Sequence, residues 1–306
     1  MVLEMNLIPE KFVKEAVKKI TKNYKVSEEQ AQEFFLNEAV KNKKFMANAL
    51  EFSEKKNFIK WNEFNKVLKK SKKNIYVFLR QYKQEGKEET ELKMNELKDA
   101  LKKKKLENTL GLHKELLSMH VSSRERIEFY EEFYEKIFEV TGKPKSILDV
   151  STGFNYFSVP LMKLKELFFV GTEYKEEFVE EINEYFSLIS NSGIKGKGFL
   201  LDLRETDFDT RNELLNLNKD KQFDAAFLLK LIPVMEREKK GLTKNLINLI
   251  PAEWIIVSAS KESMTKKQDI SFREKTTMNK FIKENNLYLV KKIEFSNEMV
   301  FITKKE

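Results

Sequence analysis

A doubly wound α/β domain preceded by a separate all-α domain is the fold class that this sequence predicts. Three observations predict it. Residues 1–110 show helical periodicity and no period-2 stretch of any length. From residue 146 short apolar strands alternate with amphipathic helices, and the series ends in two strands joined by a short connection. Charge changes with the periodicity: residues 1–110 hold 26 basic and 17 acidic residues, and 111–306 hold 31 and 32. Domains of 1–110 and 111–306 are therefore expected.

Composition narrows the function classes. The chain is 41% apolar and 35% charged, as globular proteins are, and no apolar run approaches the roughly 18 residues that span a bilayer. Met1 to Asn6 lack a basic region followed by an apolar core, so no signal peptide and a cytoplasmic location are expected. With no cysteine, disulfides, thiolate catalysis and Cys-ligated zinc are excluded. His113 and His120 are the only histidines, and no metal site is expected. The Lys- and Glu-rich, Cys-free composition suits a heat-adapted chain and an AT-rich genome equally.

The amino-terminal elements follow in order. Phe12, Val13, Ala16, Val17 and Ile20 share a face of a first helix. Ser27 and Gln30 have capping-box spacing with Val26 as a staple, and open a helix with Ala31, Phe34, Phe35 and Ala39 inward. Phe45, Ala49, Leu50 and Phe52 pattern a third. Trp61, Phe64, Val67 and Leu68 mark another, and Ile75, Val77, Phe78 and Tyr82 the next. Gly86 falls in a loop, and 88–105 reads as a polar helix with Leu92, Leu97 and Leu101 inward. Phe34, Phe35, Trp61 and Phe64 read as core. Lysine runs lie near helix ends or connections: Lys41, Lys43 and Lys44; Lys69, Lys70, Lys72 and Lys73; Lys102, Lys103, Lys104 and Lys105. Ammonium groups so placed suit phosphate tracking, and a polyanion, nucleic acid first, is the partner expected. A merely solvated lysine-rich surface is the alternative.

The segment His120-Val-Ser-Ser-Arg-Glu-Arg126 precedes a helix carrying Ile127, Tyr130, Phe133, Tyr134, Ile137 and Phe138, which Gly142 stops before Pro144. Ser122 and Glu125 again have capping-box spacing. Arg124 and Arg126 would then sit where the helix dipole disfavours cations, which points to an anionic partner such as a ligand carboxylate, or to an ordinary cap with surface arginines.

The stretch Ser146 to Asn155 organises the second domain. Ile147–Val150 reads as a buried strand, Gly153 as a turn, and Phe157, Val159, Leu161 and Met162 as the helix that follows. Backbone N–H groups at such a turn would face a ligand, and Gly153 would let it approach closely, although one glycine falls short of G-x-G-x-x-G. Further strands are expected at Leu167–Thr172, Gly198–Leu203, Phe223–Leu231, Trp254–Ser260, Tyr288–Phe295 and Met299–Thr303, with helices at 175–190 and 272–285. Asp149, Glu173 and Asp202 end the first three strands, where a sugar diol and an adenine amino group need acceptors.

A parallel sheet finished by an antiparallel hairpin resembles the class I S-adenosylmethionine methyltransferases. More narrowly, residues 111–306 resemble the aminoglycoside-resistance ribosomal RNA methyltransferases, which modify N7 of a decoding-site guanine in small-subunit rRNA. The resemblance is carried by His120 to Arg126, similar to the family's His-x-Ser-Thr-x-Glu-Arg, by Leu148-Asp-x-x-x-Gly-x-Asn155, by Asp224 through Leu228-Leu-Lys-Leu-Ile-Pro233 to Gly241, and by Asn297-Glu298. The family's Ala-Cys-Gly-Leu-Asn-Pro turn is here Ser151-Thr-Gly-Phe-Asn-Tyr156.

The resemblance implies S-adenosyl-L-methionine as cofactor. It implies Arg126 on the methionine carboxylate, with His120, Ser122, Ser123 and Arg124 framing it. Ser151 and Gly153 would line the methionine and ribose, and Glu173 would take the ribose hydroxyls. Asp202 and Leu203 would flank adenine, Leu229 would line the pocket, and Lys230 would lie near the target base. It also implies a basic helical domain that docks on 16S rRNA of the 30S subunit. Guanine N7 has no proton to remove, so no general base is required. A cofactor-binding but catalytically weak assembly factor, and a methyltransferase on another RNA, are the alternatives.

Overall fold

The computed structural model describes residues 7–24, 26–82, 87–103, 105–203, 209–244, 246–263 and 268–305. Gly86 and Lys104 lie outside the described residues, as do the side chains of Val77, Phe78 and Tyr82. The chain forms two compact units, Met1–Gln84 and Glu85–Glu306. This division precedes residue 110 because helix Lys87–Lys103 places Met94 and Leu97 in the core of the second unit. The charge asymmetry sharpens with it: residues 1–84 hold 19 basic and 10 acidic residues, and the remainder 38 and 39.

The first unit has helices α1 (Glu10–Thr21), α2 (Glu28–Lys41), α3 (Lys43–Ser53) and α4 (Asn62–Tyr82). Phe12, Ala16, Ile20, Phe35, Phe45 and Phe64 are buried at its centre, while Phe34 and Trp61 pack at its margin. The Ser27–Gln30 capping box is formed in both directions at 3.1 Å. Two helices expected between 61 and 82 are one. Lys69 to Lys73 do not break it, since Ser71 turns inward and its hydroxyl donates to the Val67 carbonyl at 3.0 Å.

The second unit begins with α5 (Lys87–Lys103), on which Leu92 faces solvent rather than the core. Helices α6 (Leu110–Met119), α7 (Val121–Arg124) and α8 (Tyr130–Thr141) follow. His113 on α6 is a core residue. Its Nδ1–H must donate to the Thr109 carbonyl at 2.9 Å, so Nε2 accepts from the Tyr185 hydroxyl at 2.9 Å, and burial pushes its pKa down to about 4.

Seven strands make one sheet in the order β3-β2-β1-β4-β5-β7-β6. They are β1 (Ser146–Asp149), β2 (Leu167–Glu173), β3 (Ile194–Leu200), β4 (Phe223–Leu229), β5 (Ala252–Ser260), β6 (Leu287–Glu294) and β7 (Glu298–Lys305). Strands β1 to β5 are parallel, and β7 runs antiparallel to both β5 and β6. The terminal hairpin thus inserts its second strand against β5 and leaves β6 at the edge.

Alternate residues feed opposite cores. Ile147, Phe169, Phe227, Ile256 and Val300 face one cluster; Leu148, Val170, Leu228, Val257 and Phe301 face the other. The third strand begins earlier than expected because its polar run carries Gly196 and Gly198. A Cβ at Gly196 would lie 2.5 Å from the Phe186 ring of helix α9 (Glu176–Ile189), so only glycine admits that helix onto the strand. On the opposite face lie α10 (Thr210–Leu217), α11 (Leu231–Glu238), α12 (Leu246–Leu249) and α13 (Ser271–Glu284).

Candidate functional site

Strands β1 and β4 are neighbours, yet the chain leaves β1 toward β2 on one side and reaches β4 only after β3. The strand order reverses there, and open α/β sheets bind ligands at the carboxyl ends of the strands flanking such a point. Ser151 and Gly153 follow β1, Glu173 ends β2, Asp202 and Leu203 follow β3, and Leu229 and Lys230 stand at the end of β4. Asp202 lies two residues beyond its strand rather than terminating it. Three residues here hold positive φ: Ser151 at 56°, Gly153 at 51° and Lys230 at 60°. For Ser151 and Lys230 that backbone costs free energy, and it persists only where the surroundings fix it.

The turn differs from the expected ligand-facing loop in two ways. Asn155–Met162 is a 3-10 helix containing Pro160, whose missing N–H and fixed ring prevent a regular α-helix. The turn's amides are also already bonded. Ser151 N–H donates to Thr172 Oγ1 at 3.0 Å, Thr152 N–H to the Thr172 carbonyl at 3.0 Å, and Gly153 N–H to Glu173 Oε1 at 2.7 Å. The end of β2 therefore holds the turn. His120 covers its other side: a Cβ on Gly153 would sit 3.5 Å from His120 Cε1.

Below the turn runs a buried polar chain. Asp149 Oδ2 accepts from Thr152 Oγ1 at 2.6 Å and from Asn155 Nδ2 at 2.9 Å. Asn155 Oδ1 accepts from Tyr130 at 3.2 Å, and Tyr134 meets Ser158 at 2.5 Å. Burial pushes the Asp149 carboxyl up to about 6 against the bonds from Thr152 and Asn155. Burial likewise pushes Glu173 up to about 7 against the amides of Gly153 and Tyr174.

Both carboxyls hold protons more tightly folded than unfolded, so their contribution is full below about pH 4 and is lost as pH rises toward 7, with an upper figure of ~3 kcal/mol each. His113, depressed to about 4, acts in the opposite sense between pH 4 and 6.5. Asp149→Asn is expected to remove its share of the fall. Urea midpoints at several pH values measure this, and identical pH dependence in variant and parent excludes it.

The 120–126 segment is not the start of a long helix. Helix α7 ends at Arg124, and α8 begins only at Tyr130, so the Ser122–Glu125 box is not formed and neither arginine caps a long helix. Ser122 Oγ meets His120 Nδ1 at 2.8 Å instead, and the buried Ser123 hydroxyl bonds the Leu117 and His120 carbonyls at 2.7 and 3.1 Å. Arg124 is exposed.

Arg126 is 1% exposed and forks onto Glu298, Nε to Oε2 at 2.8 Å and Nη2 to Oε1 at 2.9 Å. A guanidinium so buried requires a carboxylate, and the terminal hairpin supplies it. Burial alone would raise the Glu298 pKa, yet Arg126 and Lys230 hold it below the usual carboxylate range. Lys230 Nζ pairs with Glu125 Oε2, lies 3.4 Å from Glu298 Oε2 and donates to the Ser122 carbonyl at 3.4 Å. Asn297 Nδ2 donates to the Glu125 carbonyl at 3.1 Å. The 120–126 segment, the end of β4 and the hairpin are thus clasped by four charges of zero net sum.

Sequence reasoning missed Glu298 as a site residue. The signal was an acid opening the apolar run Met299 to Ile302. Thr152 and Thr172 carried no signal.

In the first unit Lys43, Lys44, Lys69, Lys70 and Lys73 are exposed and form no ion pair among the described residues, whereas Lys41 pairs with Glu38 at 3.0 Å. Burial and the charge of Lys19 lower the Lys72 pKa. Lys102, paired with Asp99 at 3.2 Å, Lys103 and Lys105 belong to the second unit.

Residues 110–302 match the ribosomal RNA methyltransferase (FmrO) family over more than half of the chain. The chain belongs to that family. The FmrO match bears out the resemblance read from residues 111–306. The 16S rRNA (guanine(1405)-N(7))-methyltransferase of Micromonospora rosea is 22% identical over 190 residues, 62% of this chain and 64% of that protein. Its counterpart from Proteus mirabilis is 25% identical over 193 residues, 61% and 63% of the two chains. The chain therefore spans somewhat less than two thirds of these curated relatives.

Among solved structures, an rRNA methylase from Escherichia coli aligns with a TM-score of 0.55 at 16% identity, over 96% of this chain and 100% of that one. The 16S rRNA methyltransferase RmtF in complex with S-adenosyl-L-homocysteine gives 0.55 at 18% identity, over 81% and 86%. At such identities the likeness is one of fold, and the fold is the methyltransferase α/β sheet expected for the FmrO family. No described helix is long and apolar enough to cross a membrane, and no group of three His, Asp or Glu among the described residues is placed to hold a metal ion.

Proposed function

We propose that this chain is an S-adenosyl-L-methionine-dependent methyltransferase of small-subunit ribosomal RNA, acting on N7 of a decoding-region guanine in the 30S subunit, in the cytoplasm. The observation that carries the reading is the placing of Gly153, Glu173, Leu229 and Lys230 around one strand-order reversal, within residues that match the FmrO family. The donor set fits the cofactor. A carboxylate ending β2 offers an acceptor to a diol, a loop acid after β3 offers one to an amine, and Leu203 and Leu229 offer apolar surface to a purine. Gly153 leaves the turn without a side chain where His120 already approaches.

The cofactor, when bound, supplies an electrophilic methyl on a positively charged sulfur. The protein's part is alignment and exclusion of water. Arg126, which also holds Glu298, takes the methionine carboxylate, with His120, Ser122, Ser123 and Arg124 framing it; Ser151 and Gly153 line the methionine and ribose, and Glu173 shares its carboxylate between the Gly153 amide and the diol. Asp202 and Leu203 flank the adenine. Lys230 lies beside the acceptor base, and no proton needs to be taken from N7. The lysines of the first unit, with Lys102, Lys103, Lys104 and Lys105, track rRNA phosphates.

Incubation of 30S subunits with labelled S-adenosyl-L-methionine is expected to place one methyl on a guanine, and strand scission at N7-methylguanine maps it. A methyl placed on transfer RNA alone would move the reading to another RNA. Calorimetric binding of the cofactor with no transfer to 30S or free rRNA would instead favour an assembly factor.

A further inference from the structure

We propose that Ser258 is a positioning residue that sets the place of Lys230. The proposal rests on the reading that Lys230 lies beside the acceptor base. Ser258 is fully buried near the end of β5, the strand next to β4. It touches Lys230 at the backbone: the Lys230 N–H donates both to Ser258 Oγ at 3.0 Å and to the Ser258 carbonyl at 3.1 Å. These bonds hold the one residue at the end of β4 with positive φ, a conformation a lysine does not keep unaided.

Ser258 also neighbours what holds the other end of the side chain. Its hydroxyl helps to hold the Glu298 carboxyl below the usual range, and Glu298 Oε2 lies 3.4 Å from Lys230 Nζ. The strand register explains the reach, since Glu298 pairs directly with Ser260 and Ser258 is its diagonal neighbour on the same face. One side chain therefore accepts from the Lys230 amide and stands beside the carboxylate that steers the Lys230 ammonium. The ammonium has only three N–H bonds, directed at Glu125, Glu298 and the Ser122 carbonyl. Its direction is set by small changes in those three acceptors, and Glu298 is the one beside Ser258.

Ser258→Ala tests this without dismantling the strand. The Lys230 amide keeps the Ser258 carbonyl, and Arg126 keeps both bonds to Glu298. The expected result is a fall in kcat for methyl transfer to 30S subunits of about tenfold, with the KM for S-adenosyl-L-methionine changed less than about twofold. Ser258→Thr, which keeps the hydroxyl, is expected to recover most of the rate. In a Lys230→Met background, assayed in single turnover, Ser258→Ala should cost nothing further. The proposal is overturned if Ser258→Ala retains parental kcat, or if its loss accompanies a lower melting midpoint that Ser258→Thr shares. Parental activity in Lys230→Met would overturn the underlying reading of Lys230 itself. An impaired Lys230→Met beside an unimpaired Ser258→Ala would overturn only the role of Ser258.

Discussion

Glu298→Ala is expected to destabilise the second unit by roughly 3–5 kcal/mol, because it leaves Arg126 buried without its counter-charge. The two side chains are 1% and 0% exposed, and the fork between them uses both carboxylate oxygens. Lys230 loses a neighbour at 3.4 Å in the same change and keeps Glu125. A single surface ion pair, such as Lys14 with Glu10, would cost about 1 kcal/mol or less. Replacing both members by apolar residues, Arg126→Met with Glu298→Leu, should recover much of the loss, since no charge is then stranded.

Urea unfolding provides the measurement. The two tryptophans, Trp61 and Trp254, fall one in each compact unit, so a Trp61→Phe background reports the second unit alone. A Glu298→Ala midpoint equal to the parent's, at equal m, would show that Arg126 finds water or another partner.

Reversing Lys43, Lys44, Lys69, Lys70 and Lys73 to Glu is expected to weaken binding to 30S subunits by about 10²–10³ near 0.1 M salt. It should also flatten the slope of log K against log salt by about one for each phosphate that is no longer neutralised. These ammonium groups have no carboxylate partner among the described residues and stand on the unit that holds the whole charge excess. Reversing Lys102, Lys103 and Lys105, on the second unit, separates the contributions of the two. A slope unchanged by the five reversals would count against phosphate binding by this unit.

The sequence made the sheet legible because buried parallel strands are continuous apolar runs. Ile147 to Val150 and Trp254 to Ser260 agree with the observed strands to within two residues at each end. The third strand was misplaced because its early residues, Lys195 to Lys197, are polar and glycine-containing. Those glycines reflect a helix packed against the strand, a tertiary fact that periodicity does not carry. The same holds for the site. Residues following strand ends could be placed by position, since topology alone puts Gly153, Glu173 and Leu229 at one edge of the sheet. The partners of Arg126 could not, because Glu298 lies 172 positions away and no local pattern announces the pair. The spacing of Ser122 and Glu125 suggests a cap, but His120 and the sequence-distant Lys230 take those side chains instead.

The separation between Arg126 and Glu298 also has a meaning in time. A ribosome adding about 5–20 residues per second leaves Arg126 without its carboxylate for roughly 10–30 s after it is made. For the last part of that interval, roughly 2–8 s, β5 has no neighbour on its outer side, because β7, which covers it, is synthesised after β6. The nascent domain can assemble β1 to β5 but cannot close around the guanidinium until the last strand arrives. Slow closing through so distant a pairing makes the newly made chain, rather than the finished one, the stage most exposed to strand-edge association and most dependent on chaperone holding.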